Sequence, residues 1–210
     1  MKIKLESFIN RIVAFVTLMF LSPLIVLLYV LLKLDSPGQF IFKQRRLGKN
    51  KKPFTIFKIR TMVVEAEKQQ KQLLAYNEAD GPVFKIRNDP RYTRFGQFIS
   101  YTGLDEVLQL INVIKGEMNL VGPRPLPVQE AVKIPVRYKA RFAINPGMTS
   151  LWVVRGTHQL SFKQWMEFDL EYLKKRSCLF DISILIMTLL IILRLIFSRI
   201  NYPLHNGTIR

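Results

Sequence analysis

The sequence predicts a helix-dominated mixed α/β fold. We expect a compact monotopic membrane domain with an N-terminal re-entrant kinked helix and amphipathic helices at the membrane interface. The 210 residues, of which 49% are hydrophobic, are enough for one domain with a real core. An uncharged apolar run begins near the N-terminus, and short β-type runs alternate with helically spaced apolar residues further along the chain.

These patterns divide the chain into three parts. Residues 1–34 are predicted to form the membrane anchor, and residues 35–181 form a domain on the cytoplasmic face that holds the candidate functional residues. Residues 182–210 form an interfacial amphipathic helix with a tail.

The N-terminal anchor is predicted to enter the membrane and return to the same face. Residues 12–32 carry no charge, and as a helix they would extend about 30 Å, roughly one hydrocarbon thickness. Pro23, which follows Ser22 near the middle, removes a backbone hydrogen bond and predicts a kink. A straight span is the alternative, but it would place one of two basic flanks outside the cell, whereas such flanks favour the cytoplasm. The flanks contain Lys2, Lys4 and Arg11 before the run and Lys33, Lys43, Arg45, Arg46, Lys49, Lys51 and Lys52 after it.

A second apolar stretch lies near the C-terminus, at residues 182–193. It is too short to cross a bilayer, and Arg194 and Arg199 follow it. We therefore expect an interfacial helix whose arginines reach the headgroups. A buried terminal helix of the central domain is the alternative, and the sequence does not decide between them.

A basic β-hairpin is predicted between residues 39 and 62. Short β-type runs at residues 40–42 and 54–57 flank a lysine-rich turn at residues 48–53. The polar residues 65–76 predict a solvated helix, to which we assign no chemistry.

Two adjacent carboxylates, Asp105 and Glu106, open a predicted amphipathic helix over residues 104–114. Its apolar residues recur at helical spacing, and Gly116 provides a stop. First-turn amides and the helix dipole stabilise anions, which favours ionised carboxylates that could attack, bind a metal or move protons. A purely structural role stays open, because Thr102 and Asp105 have the spacing of a capping box.

Arg124 lies between Pro123 and Pro125, which keep this segment out of a helix and limit where the guanidinium points. A guanidinium fork held in place suits a phosphate. Together with the two carboxylates, it predicts a site for phosphoryl chemistry. Further basic residues that could line the same pocket are Lys58, Arg60, Lys85, Arg87 and Arg91.

Charge and cysteine content indicate which kind of partner the protein binds and whether its surroundings are reducing. The 32 Lys and Arg against 15 Asp and Glu give a net charge of +17, which indicates a polyanionic partner. The apolar segments favour anionic membrane lipids over nucleic acid, for which the sequence has no recognised motif. Cys178 is the only cysteine, which excludes an intrachain disulfide and fits a reducing, cytosolic exposure. His158 and His205 lack metal-ligand spacing.

The order and spacing of these segments resemble those of the bacterial sugar transferases. These are small monotopic phosphoglycosyl transferases, also called polyprenyl-phosphate hexose-1-phosphate transferases. The resemblance runs nearly from end to end. It rests on Ser22-Pro23, residues 38–62, residues 81–91, Leu104-Asp105-Glu106, Gly122-Pro123-Arg124-Pro125, Pro146-Gly147-Met148-Thr149 and the tail around Asp181.

The resemblance implies a two-step reaction through a covalent intermediate. Asp105 would be the nucleophile that takes a sugar-1-phosphate from a nucleoside diphosphate sugar, a UDP-sugar. Polyprenyl (undecaprenyl) phosphate would then accept it. Mg²⁺ would lie near Asp105 and Glu106, and Arg124 would clamp phosphate. Further phosphate contacts are expected from Lys58, Arg60 and Arg87.

The family also implies a place in the cell. We expect the bacterial cytoplasmic (inner) membrane, with the active site on the cytoplasmic face. There the reaction would initiate the synthesis of exopolysaccharide, capsule, O-antigen of lipopolysaccharide or glycoprotein glycans. Downstream glycosyltransferases are the expected protein partners, and a homodimer is compatible with the family.

Several positions depart from the common family pattern. Ser100 stands where an arginine is often found, and Gly103 stands where a serine or threonine is common. Ser150, Val153 and Thr157 replace a glycine, a glutamine and an arginine. These departures bear on donor choice. They also keep an alternative function open, a catalytically silent membrane scaffold of glycan assembly.

Overall fold

The structure is a computed structural model that describes residues 2–86, 88–156 and 160–201. Helices dominate this part of the chain and two pairs of strands complete it, which confirms the predicted helix-dominated mixed α/β class. The α-helices are α1 (Lys2–Asp35), α2 (Ala66–Gln69), α3 (Arg94–Thr102), α4 (Leu110–Lys115), α5 (Val128–Ala131), α6 (Leu151–Gly156), α7 (Phe162–Lys175) and α8 (Cys178–Asn201). The strands are β1 (Ile41–Leu47), β2 (Pro53–Ile59), β3 (Asn119–Val121) and β4 (Gly147–Thr149). Short 3-10 helices span Lys49–Lys51, Leu74–Tyr76, Leu104–Gln109 and Val136–Ala143.

The predicted basic hairpin is confirmed. β1 and β2 pair antiparallel, from Ile41 opposite Ile59 to Leu47 opposite Pro53. Asn50 in the lysine-rich turn has a φ of 54°, a left-handed conformation that asparagine adopts more readily than most residues. The second pair of strands, β3 and β4, is parallel and was not predicted.

α1 is one continuous helix that passes through Pro23 and ends at Asp35. Proline has no N–H, so it leaves the carbonyl four residues earlier, that of Met19, without its helical partner. The Ser22 hydroxyl donates to this carbonyl at 2.8 Å. The Ser-Pro pair therefore replaces the hydrogen bond that it removes. α1 is long and apolar enough to cross a membrane, and a re-entrant path would also fit this length, so the kink and the return stay predictions.

Ser22→Ala is expected to destabilise the protein, because the Met19 carbonyl then lacks a donor in an apolar environment. An unsatisfied buried carbonyl costs about 1–3 kcal/mol, so we expect the thermal unfolding midpoint of detergent-held protein to fall by a few degrees. Ser22→Thr keeps the hydroxyl and should keep the midpoint. Ser198→Ala is the matched control, since Ser198 donates to the Leu195 carbonyl at 3.0 Å without a proline after it. Equal midpoints for the two alanine variants would contradict this account.

The C-terminal apolar helix is longer than the sequence suggested. α8 has 24 residues, and its segment Cys178–Ser198 is long and apolar enough to cross a membrane. The prediction that residues 182–193 are too short to cross is therefore wrong, because the helix begins before the apolar run and continues past it. The buried alternative is wrong as well: Ile184 is fully buried, but most of the large apolar side chains of α8 are exposed. The interfacial placement stays a prediction.

The main core lies between α1, the hairpin, α3 and α4. Ala14 of α1 and Ile56 of β2 are both buried in it. The fully buried Asn112 of α4 fastens the hairpin to this core, because it donates to the Thr55 carbonyl at 2.7 Å and accepts from the Phe57 N–H at 3.1 Å. Two hydrogen bonds therefore hold the middle of β2 against α4.

The polar segment at residues 65–76 is only partly helical. It contains the four-residue helix α2 and a 3-10 turn at Leu74–Tyr76. The prediction of one continuous helix is wrong because the segment is mostly exposed, and a short polar helix has little stability without packing.

Candidate active site

The two predicted carboxylates lie on a 3-10 helix, Leu104–Gln109, between α3 and α4. The predicted α-helical first turn is therefore wrong, and so is the capping box. Thr102 is the last residue of α3, and its hydroxyl donates to the carbonyls of Phe98 and Ile99 instead. Gly103 joins the two helices with a φ of 76°, a conformation that strains residues with a Cβ. Glycine adopts this conformation without strain.

Lys58 connects both carboxylates. Its ammonium donates to Asp105 Oδ2 at 3.1 Å and to Glu106 Oε1 at 2.8 Å. Lys58 stands near the end of β2, which packs directly against the 3-10 helix. The hairpin thus supplies the first cation of the site.

Arg124 supplies the second cation, from the proline-flanked segment after β3. Its guanidinium forms a fork on Glu106: Nη1 donates to Oε2 at 3.0 Å, and Nη2 donates to Oε1. The structure therefore brings together Asp105, Glu106, Lys58 and Arg124, which are four of the residues predicted from the sequence. A shallow surface depression lies beside Arg124, and Gly48 of the hairpin turn and Phe142 line it.

A buried ion pair supports Arg124 from behind. Arg141 donates through Nε to Asp169 Oδ2 at 2.8 Å and through Nη2 to the Arg124 carbonyl at 2.6 Å. Arg46 holds the next residue, since its Nη1 donates to the Pro125 carbonyl at 2.9 Å. Both Arg141 and Asp169 are nearly inaccessible to solvent. The backbone at Arg124 is therefore fixed by two further arginines.

The electrostatics differ between the two carboxylates. Burial raises the pKa of Asp105, and the nearby Lys58 charge opposes that shift without cancelling it. Burial also acts to raise the pKa of Glu106, but Arg124 and Lys58 outweigh it and hold that pKa well below its usual range. Burial and the Arg124 charge lower the pKa of Arg46 to about 10, so it stays a cation at neutral pH. Glu106 is thus a fixed anion, whereas Asp105 is the more readily protonated carboxylate.

The structure places the other predicted basic residues elsewhere. Arg60 donates to the carbonyls of Ser36, Gln39 and Met62, and it joins the end of α1 to the hairpin rather than facing the carboxylates. Arg87 lies outside the described residues. Arg91 pairs with Asp89, and the Lys85 ammonium lies over the Trp165 ring.

Sequence reasoning missed Arg141 and Asp169. A signal for Asp169 was present, because it lies at helical spacing from Trp165, Met166 and Tyr172, which are buried on the same face of α7. A lone acid on an apolar face predicts a buried partner. The position of Ser100 also has a structural account, since its hydroxyl donates to the Tyr92 hydroxyl at 3.0 Å.

The carboxylates were also predicted to hold Mg²⁺. Within the described residues, no group of three or more His, Cys, Asp and Glu side chains is placed to bind a metal, and no hydrogen bond reaches Asp105 Oδ1. Both oxygens of Glu106 are used by cations. Mg²⁺ is commonly held by one or two carboxylates together with substrate phosphates and waters. The donor set therefore fits a Mg²⁺ that Asp105 Oδ1 would hold jointly with a phosphorylated substrate.

Comparison with known proteins gives a consistent result. Residues 1–195 match the family described as bacterial sugar transferase. The chain is 40% identical over 157 residues to the galactosyl transferase CpsE of Streptococcus agalactiae, covering 74% of this chain and 35% of CpsE. It is 38% identical over 180 residues to the undecaprenyl-phosphate galactose phosphotransferase of Salmonella typhimurium, covering 82% of this chain and 37% of that protein.

A shorter relative matches over most of its length. The exopolysaccharide production protein ExoY of Rhizobium meliloti is 32% identical over 180 residues, covering 84% of this chain and 80% of ExoY. The chain therefore spans well under half of the two longer relatives and most of this one. The similarity covers the segments that carry the carboxylates and Arg124.

Proposed function

The chain belongs to the bacterial sugar transferase family, and on that premise we propose that it is a phosphoglycosyl transferase. It moves a sugar-1-phosphate from a nucleoside diphosphate sugar, a UDP-sugar, to polyprenyl (undecaprenyl) phosphate. The observation that carries this proposal is the buried Asp105, which pairs with Lys58. Lys58 also pairs with the second carboxylate, Glu106, and Arg124 pairs with Glu106 as well. The names of the relatives, which include an undecaprenyl-phosphate galactose phosphotransferase, support the two substrates.

In the first step, a carboxylate oxygen of Asp105 attacks the phosphorus next to the sugar. An O–P bond forms to Asp105, the bridging P–O bond breaks, and nucleoside monophosphate leaves with the bonding electrons. The intermediate is an acyl phosphate that carries the sugar, which splits one difficult transfer into two easier ones. Oδ1, which no hydrogen bond within the described residues engages, is the oxygen available for attack or for the metal.

In the second step, a phosphate oxygen of polyprenyl phosphate attacks the same phosphorus. The bond to Asp105 breaks and the carboxylate is restored, which leaves a polyprenyl diphosphate sugar. Because the nucleotide has already left, a soluble donor and a lipid acceptor use one pocket in turn. Asp105 therefore takes part in both half-reactions: it receives the phosphosugar in the first and releases it in the second.

Lys58 and Arg124 stabilise the charge that develops on the transferred phosphate. Both cations are partly buried and are positioned before the substrate binds, and such preorganised charges lower an electrostatic barrier. Glu106 orients them, since it accepts from Lys58 and from both Arg124 nitrogens. Mg²⁺, when bound at Asp105, neutralises phosphate charge. Arg87 remains a proposed phosphate contact from the sequence alone.

We place the reaction at the cytoplasmic face of the inner membrane, where it initiates exopolysaccharide or a related surface glycan. The exposed apolar faces of α1 and α8 and the basic residues on both flanks of α1 support this placement. In this proposal, residues 1–34 form the re-entrant anchor, residues 35–181 the catalytic domain and residues 182–210 the interfacial helix and tail. Downstream glycosyltransferases would take up the lipid-linked product.

The test is an assay of nanodisc-held protein with Mg²⁺, polyprenyl phosphate and a panel of UDP-sugars. Release of UMP together with a lipid-linked sugar is the expected result for at least one donor. With the lipid omitted, UMP release should stop after one turnover, because the phosphosugar then stays on the protein. Neither UMP nor lipid product with any donor would contradict the proposal.

The pH dependence of the first half-reaction is a second test. Asp105 attacks as the anion, so the rate should fall as pH drops through its raised pKa. Lys58 lowers that pKa and Glu106 raises it. Lys58→Met should therefore move the acidic limb to higher pH, and Glu106→Gln should move it to lower pH. The measurement is kcat/KM for the donor against pH, with thermal unfolding recorded at each pH as a control. Limbs that move in the same direction would contradict the assignment of Asp105.

A further inference from the structure

Arg124 is positioned by contacts on several sides. Its guanidinium edge faces Glu106, and its carbonyl is held by Arg141. The guanidinium carbon also lies 5.8 Å from the centre of the Trp152 ring, which places the cation over an aromatic face. The first two contacts fix the edge of the guanidinium and the backbone. The aromatic contact restricts rotation of the guanidinium plane.

Trp152 packs against a second tryptophan. It stacks on Trp165 with ring centres 4.9 Å apart and an angle of 16° between the ring planes. Both rings are buried, at 5% and 6% exposure, so they form a rigid aromatic wall between α6 and α7. The Lys85 ammonium lies over the Trp165 ring at 5.8 Å.

Neither tryptophan uses its indole N–H in a hydrogen bond within the described residues. Both indole N–H groups are buried. A buried donor without a partner is unfavourable, and an aliphatic side chain would avoid that cost. The property that a tryptophan provides here is therefore its ring face, which attracts cations more strongly than the ring of any other aromatic side chain.

We propose that Trp152 is a positioning residue that orients Arg124 for the phosphate. This inference rests on the proposed function for its effect on catalysis, while the contact itself is independent of it. Glu106 and a substrate phosphate would compete for the same two N–H donors of Arg124. The Trp152 ring keeps the guanidinium plane in a fixed orientation during this exchange. Without the ring, Arg124 would keep its charge but lose the orientation that a two-point phosphate contact needs.

The kinetic test compares leucine variants of the two tryptophans. Trp152→Leu is expected to lower kcat/KM for the donor by about two- to thirtyfold, the range of one cation–π contact. Trp152→Phe should recover most of the loss, since it keeps a ring. Trp165→Leu is the matched control, because it is equally buried and stacked but does not contact Arg124; we expect a change of about twofold or less. Lys85→Met is assayed alongside to separate any effect of the ammonium over Trp165. Equal losses in the two leucine variants, or no recovery in Trp152→Phe, would overturn the proposal.

A spectroscopic test does not depend on activity. The chain has two tryptophans, so Trp165→Phe leaves Trp152 as the only tryptophan and Trp152→Phe leaves Trp165; excitation near the red edge of absorption selects tryptophan over tyrosine. Adding Arg124→Met should change the emission of the first protein and leave that of the second unchanged. Unchanged emission in the first protein would overturn the contact. If wild-type protein formed no product with any donor, the proposed function would fail while the emission result still decided whether Trp152 holds Arg124.

Discussion

Asp105→Asn is expected to lower the rate of sugar-phosphate transfer by about 10³-fold or more, the scale of removing a nucleophile from an enzyme. The amide is isosteric with the carboxylate but does not form the acyl phosphate. Mass spectrometry of protein incubated with UDP-sugar and Mg²⁺ should find a phosphosugar adduct on wild type and none on the variant. Persistence of an adduct of the same mass on Asp105→Asn would show that another residue is the nucleophile.

The variant should remain folded, which makes the result interpretable. Lys58 keeps its contact with Glu106, and removal of one of two adjacent buried negative charges relieves repulsion. Glu65→Gln is the matched control, since it also neutralises a carboxylate that pairs with a lysine, Lys68, but at an exposed position. We expect full activity for this control.

The same variant separates the transferase from a silent scaffold. A scaffold that recruits enzymes of glycan assembly would tolerate Asp105→Asn, and a strain carrying it would still make the glycan. A transferase would lose the glycan in that strain while the protein stayed in the membrane at its normal level. Glycan production by the variant strain would therefore favour the scaffold.

Asp169→Asn is expected to have the largest effect on stability. It leaves the buried Arg141 guanidinium without its counter-ion, and breaking a buried pair in this way costs about 3–5 kcal/mol. For a chain of this size we expect the thermal unfolding midpoint to fall by about 10 °C. Activity should fall as well, because Arg141 also holds the Arg124 carbonyl.

Replacing both partners separates these two effects. The double variant Arg141→Met with Asp169→Leu removes the buried charges together, which is often neutral for stability. We expect it to recover most of the midpoint but little of the activity, since the Arg124 carbonyl still lacks its donor. Recovery of both would show that the pair serves stability alone. A midpoint for Asp169→Asn close to that of wild type would contradict the buried pair itself.

The sequence predicted those parts of the site that depend on local pattern. The hairpin followed from short β-type runs on both sides of a lysine-rich turn, and the end of α4 followed from Gly116, which has a φ of 78°. The proximity of Arg124 to Asp105 and Glu106 was predicted from chemistry. Adjacent carboxylates and a constrained arginine are both suited to a phosphorylated substrate.

The parts that were missed depend on contacts between distant segments. Thr102 has the spacing of a helix cap, but the preceding helix extends through it, and the turn at Gly103 separates the two helices. Arg141 and Asp169 are 28 residues apart and meet only because the 3-10 helix Val136–Ala143 packs on α7. Periodicity within either segment does not report such a pairing.

The joint made by Arg60 has a mechanical consequence. Its three bonds clamp the end of α1 to β2, and Lys58 stands two residues earlier on that same strand. An anchor that ended in a loose linker would let the catalytic centre drift relative to the bilayer. Here α1 and β2 are joined, so the depth of α1 in the membrane also sets the height of Lys58 and Asp105 above it. In the proposed reaction, the structure of the protein therefore sets the distance between the membrane surface and Asp105.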